Sequence, residues 1–270
     1  MVKKLIKHEF IAYSRSLLPI ELALIGIAVV LRFIQFFENS STGYAILFGS
    51  AVFAFVAAII VCLVMTFIVS IQRYYKNLFK AEGYLTFTLP VSNHQLILSK
   101  LFSAVSVTII TFVNIFVSIC VATAGEVCVE IFKAMGYLIK KYIDLVGVNG
   151  VFYVIEIIIL CIVAFAAEYL LFYACITLGQ TAKKNRVAAA VGIYFGYYYA
   201  TQILATVATI IFSTTEWLQN IAEAIVPFVV DHPYAFAHIA LILMILVIAL
   251  VGALYYLVAY KVMRKKLNLE

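Results

Sequence analysis

Charge is scarce in this sequence: Asp, Glu, Lys and Arg together make up 12% of its 270 residues, whereas hydrophobic types make up 66%. Soluble domains are about a quarter charged and about half apolar, so a water-soluble globule is excluded, in agreement with a mean hydropathy of +1.11. Proline is scarcer still, with four residues, and the apolar runs continue for about 20 residues or more, enough to cross a bilayer as helices. A β-barrel, built from short alternating strands, is excluded as well. Catalytic motifs are missing: the chain has no H-E-x-x-H, no G-x-S-x-G and no G-x-x-x-x-G-K-[ST]. Its four histidines, His8, His94, His232 and His238, are scattered and have no paired nucleophile. The expectation is a non-enzyme that binds no cofactor or metal itself; if ATP drives it, another subunit must bring the nucleotide. The five cysteines, Cys62, Cys120, Cys128, Cys161 and Cys175, form no C-x-x-C pair and lie in or beside apolar runs. They read as small core or lipid-facing residues. A cleavable leader is not expected, because a charged stretch precedes the first apolar run and no small-residue cleavage pattern follows it.

Six apolar runs are present, at about 17–36, 44–71, 96–124, 151–178, 187–212 and 235–260. The predicted fold is an all-α polytopic membrane protein of one domain, residues 1–270, with six transmembrane helices and amphipathic interfacial helices. An even number of spans puts both termini on one side. All Lys and Arg except Arg32, Lys133, Lys140 and Lys141 fall in the first sixteen residues, the 73–100 interval, the 179–186 loop and the tail. By the positive-inside rule these segments, and both termini, face the cytoplasm. The net charge of +6 is thereby a matter of topology, with no nucleic-acid partner expected. Residues 1–16 mix Leu5, Phe10, Ile11 and Tyr13 with Lys3, Lys4, Lys7 and Arg15, as in a basic amphipathic helix on the inner leaflet. Pro19 then falls at the first turn of the first span, where a missing N–H costs nothing.

The polar interval between the second and third runs holds the most unusual stretch, EGYLTFTLPVS at 82–92. Aromatic and β-branched side chains sit there beside Glu82 and Gly83, with Arg73, Lys76 and Lys80 just upstream. Pro90 stops a preceding helix, and Ser92 with Gln95 has capping-box spacing for a new one. Such a stiffly bounded corner suits either docking of a partner or an amphipathic turn in the headgroup layer. On the opposite side, EVCVEIFKAMGYLIKKYIDLVG at 126–147 alternates apolar and charged positions at helical spacing. EWLQNIAEAIVPFVVD at 216–231 is too short to span and is broken by Pro227, which fits a re-entrant hairpin or an interfacial joining helix anchored by Trp217. The outer loops are accordingly 126–150 and 213–234, and the cytoplasmic loop is 73–95.

Charged residues inside spans are functional candidates by default. Glu21, Arg32 and Glu156 lie near span ends, within reach of water. Glu168 is the deep one: a protonatable carboxylate, or a structural one bonded to a polar neighbour such as Asn114. Gly192 and Gly196 have the G-x-x-x-G spacing that permits close helix approach, and common chance explains it as well. The run Tyr194, Phe195, Tyr197, Tyr198 and Tyr199 either lines a substrate route or packs on lipid.

The basic segment KHEFIAYSRSLLPI, the stretch EGYLTFTLPVSNHQLILSK, the six-run layout and the tail KKLNLE together resemble the type-2 family of ATP-binding-cassette export permeases, in the form common in Gram-positive bacteria. The likeness covers nearly the whole chain, and the loop stretch is its most specific part. It implies a multi-pass permease in a bacterial cell membrane, paired with a second permease, identical or related, and with two cytoplasmic ATPase subunits that hold ATP and Mg. The coupling helix that seats in the ATPase then falls on Glu82, Gly83, Tyr84, Leu85, Thr86, Phe87, Thr88, Leu89 and Pro90. The resemblance makes residues 1–16 a connecting helix, 216–231 a re-entrant segment, and the first and fifth spans, with Gly192 and Gly196, the permease dimer interface. A proton-driven secondary transporter, or a membrane sensor or assembly protein that moves nothing, are the alternatives.

Overall fold

The computed structural model describes residues 2–37, 41–80, 83, 91–147 and 149–266. Among these there is no β-strand, and the order is α1 (Val2–Gln35), α2 (Thr42–Phe79), α3 (Asn93–Ala122), α4 (Glu126–Val146), α5 (Asn149–Gly179), α6 (Arg186–Thr214), α7 (Glu216–Asp231) and α8 (Pro233–Lys266). Six of them, α1, α2, α3, α5, α6 and α8, are long and apolar enough to cross a membrane. The chain divides into two compact units, Met1–Lys141 and Tyr142–Glu270.

In the first unit α1 packs on α2 and α3, and α2 on α3. The basic amphipathic segment and the first span form one helix of 34 residues, about 50 Å long at 1.5 Å per residue, which exceeds a hydrocarbon core of about 30 Å. Pro19 is therefore inside a helix and not at its first turn; α1 passes through it although the carbonyl one turn earlier loses a donor. Leu24, Ala28 and Leu31 of α1 meet Phe55 and Cys62 of α2 and Ile115 and Ala122 of α3. Lipid supplies no hydrophobic drive between spans, so close packing of small and hydroxylated residues must hold them. Ser70, Ser103, Thr111 and Ser118 are fully buried. The Thr66 and Thr111 hydroxyls lie 3.1 Å apart across the α2–α3 seam, and Thr66 also donates to the Cys62 carbonyl at 2.8 Å. Cys120, expected to be a simple core or lipid-facing residue, is disulfide-bonded; without a C-x-x-C pair, nothing in its spacing marked it. On α4, Phe132 meets Phe116 of α3 edge to face, with centroids 6.0 Å apart.

In the second unit α5 packs on α8 and α6, and the short α7 on α6 and α8. Two glycines allow the closest approaches. A Cβ on Gly252 of α8 would sit 3.3 Å from the Ala167 Cβ, and one on Gly179 at the end of α5 would sit 2.6 Å from the Ala190 Cβ. Near the start of α5, Tyr153 donates its hydroxyl to the Tyr234 carbonyl at 2.7 Å, and its ring stacks on His238 at 4.0 Å. His238 Nδ1 lies 2.8 Å from Glu156 Oε1, so Glu156 is paired to a neighbouring helix. The 216–231 segment is one continuous helix that includes Pro227, which corrects the expectation of a break there. Trp217 stands 62% exposed at its first turn. Leu22, Val29 and Phe33 on α1 and Leu243, Leu246 and Leu250 on α8 are exposed, which suits surfaces solvated by lipid.

Candidate functional site

The three spans of the first unit are tied at one end by a largely buried ion cluster, in which Lys100 is buried and Glu9 and Arg73 are part-buried. Glu9 of α1 accepts from Lys100 Nζ of α3 at 2.7 Å and from Arg73 of α2 at 2.8 and 3.1 Å. Asn77, one turn beyond Arg73, reaches the other Glu9 oxygen, Oε1, at 3.5 Å. The Arg73 guanidinium also lies over the Tyr13 ring, 4.9 Å from its centroid. The Lys100 side chain is 4% exposed, so its charge is satisfied inside the protein. From the sequence, Arg73 stands as a basic neighbour of the 82–92 stretch and, with Lys100, as a topology marker, and Glu9 has no role. The i, i+4 spacing of Glu9 and Tyr13, which puts them on one face of α1, was the one available signal.

From this tied end the 82–92 stretch departs. α2 continues past the expected span to Phe79, where the Lys80 N–H donates to the Lys76 carbonyl. The Gly83 N–H then donates to the Lys80 carbonyl at 2.7 Å. Gly83 is buried, and a Cβ there would lie 2.5 Å from the Leu78 carbonyl oxygen; only glycine fits that approach. On the far side Ser92 caps α3 with a complete capping box, its side chain accepting from the Gln95 N–H while Gln95 accepts from the Ser92 N–H. Glu82, Tyr84, Leu85, Thr86, Phe87, Thr88, Leu89 and Pro90 lie outside the described residues.

The other candidates separate. Asn114 donates to the Glu21 backbone carbonyl at 3.3 Å, and the Glu21 carboxylate accepts from Thr111 at 3.0 Å, a polar seam within the first unit. Arg32 donates to Gln35 at 2.9 Å. Glu168 instead lines a cavity of about 460 Å3 in the second unit, with Leu171, Tyr194, Tyr197, Tyr198 and Tyr255 among its walls. Phe172 stacks on Tyr194 at 4.8 Å, and the Tyr197 and Tyr255 hydroxyls bond to each other, joining α6 to α8. Part of the aromatic run thus faces a cavity. Gly192 and Gly196 are exposed, with nothing within 4 Å of a Cβ on either; within the unit, close approach is carried by Gly179 and Gly252.

Six apolar spans with lipid-facing surfaces and polar seams between helices make this a multi-pass α-helical membrane protein. No protein-family model, curated protein or solved structure matches the chain.

Proposed function

We propose that the chain is the permease subunit of an ATP-binding-cassette exporter, moving an amphipathic or hydrophobic substrate with the help of partner ATPase subunits and a second permease. The observation that carries this reading is the Glu9–Arg73–Lys100 cluster. It clamps α1, α2 and α3 together at the end from which the 82–92 stretch departs, so a force applied to that stretch would reach three spans as one body. The Gly83 approach and the Ser92 capping box support the same reading, since they stiffen the two edges of the stretch. In this reading Glu82 through Pro90 dock on the ATPase, and closure of the ATP-bound ATPases drives the spans. Purification of the tagged chain from native membranes in mild detergent tests it: a P-loop ATPase should copurify, and Glu82→Arg or Phe87→Ala should release it while the chain still inserts. Full ATPase association and transport in both variants would overturn the assignment.

One observation favours a proton-driven secondary transporter instead. The Glu168 carboxylate lies partway along α5, is exposed towards the cavity it lines, and makes no hydrogen bond or ion pair with any described residue. That reading requires transport that persists without ATP and fails in Glu168→Gln, with Phe87→Ala harmless.

A further inference from the structure

The cavity between α5, α6 and α8 combines features that seldom meet inside a membrane. Glu168 lies about 16 Å along α5 from Gly179, well within the length of a span, where an isolated charge is costly and its partner identifies its role. Glu168 is exposed on the cavity side, and among the described residues no Lys, Arg or His pairs with it, whereas the part-buried Glu9 and Glu156 each have a basic partner. Its surroundings are four tyrosines, Tyr194, Tyr197, Tyr198 and Tyr255, on a floor of small and aliphatic residues such as Ala164 and Ala167. Tyrosine rings attract cations through their negative faces, and a volume of about 460 Å3 is in the range of small-molecule sites. A neutral lipid tail would gain nothing from the carboxylate, and an anion would be repelled by it.

We propose that this cavity binds the cationic head of an amphiphile, an organic ammonium or phosphonium with apolar substituents, with Glu168 as counter-ion and the four tyrosines as its cage. The inference rests on the reading of the chain as a mover of amphipathic substrates and names their class: lipophilic cations. Recognition divides between the two features. Glu168 selects for positive charge, and the rings, with Val247, Ile248 and Val251, accept bulky apolar groups of varied shape. The bond between Tyr197 and Tyr255 joins α6 to α8 across the cavity.

The test is equilibrium binding of radiolabelled tetraphenylphosphonium to the full chain in lipid nanodiscs, with empty nanodiscs subtracted and tetraphenylborate as the probe of matched shape and opposite charge. Saturable phosphonium binding is expected in the wild type, at least tenfold weaker in Glu168→Gln, retained in Glu168→Asp and weakened in Tyr194→Leu. Tetraphenylborate should show no saturable component. Monodisperse elution of each variant separates lost binding from lost fold. The proposal is overturned if phosphonium binding is absent, if Glu168→Gln binds as well as the wild type, or if the borate binds equally. No ATPase is present in the assay, so failure of the coupling assignment leaves this result unchanged, and the converse holds as well.

Discussion

Glu9 is one carboxylate serving two cations and an amide, and it shows how unequal polar positions in this chain are. Removing one partner of a buried pair leaves the other charge uncompensated, which costs about 3–5 kcal/mol. Glu9 and Arg73 are only part-buried, so Glu9→Gln is expected to destabilise the first unit by less than that, about 1–3 kcal/mol, in unfolding titrations in mixed micelles, and Lys100→Met in the same background should recover part of the loss. His238 has a similar position in the second unit, since it stacks on Tyr153 and bonds Glu156; the other Glu156 oxygen, Oε2, is buried without a hydrogen bond. The glycines make a sharper contrast. Gly252→Val would push side-chain atoms into Ala167 and is expected to cost about 1–3 kcal/mol through overpacking. Gly192→Val meets open space and is expected to change monomer stability by less than about 0.5 kcal/mol, so an effect on crosslinking between copies would support the proposed pairing with a second permease, and no effect would remove Gly192 from it.

At the scale of elements, helix length does more than satisfy the bilayer. α1 and α2 both outrun a hydrocarbon core, and their extra turns hold Glu9, Tyr13, Arg73 and Asn77. The corner that follows is constrained at Gly83, so Gly83→Ala is expected to push the corner away from the Leu78 carbonyl at the end of α2. Under the proposed coupling, loss of ATPase copurification with unchanged membrane insertion is the expected outcome; unchanged copurification would show that the corner tolerates the shift. The two short helices, α4 and α7, show amphipathic sequence made into secondary structure without a span. α7 includes Pro227 because a helix with many exposed residues can leave one carbonyl to solvent or headgroups.

For the whole molecule, the distribution of Lys and Arg makes a topological prediction. In a variant lacking native cysteines, Lys133→Cys on intact cells should react with an impermeant maleimide, whereas Ser92→Cys and Lys183→Cys should react only after permeabilisation. Reaction of Ser92→Cys on intact cells would reverse the orientation and remove the coupling stretch from any cytoplasmic ATPase.

Span number, span position and the start of α3 at its capping box were legible in the sequence, because each depends on local quantities: apolar length against bilayer thickness, and a side chain three residues from the backbone group it satisfies. The course of α1 through Pro19 and of α7 through Pro227 was not, since local proline rules yield where packing holds the helix, as in α1, or where its many exposed residues let a freed carbonyl be solvated, as in α7. Nor was the pairing of polar residues. Glu9 and Lys100 are 91 positions apart and Glu156 and His238 are 82 apart, and composition does not state how far each helix is rotated about its axis. That rotation decides whether a carboxylate in an apolar span meets a cation, as Glu9 does, or faces a cavity of tyrosines, as Glu168 does.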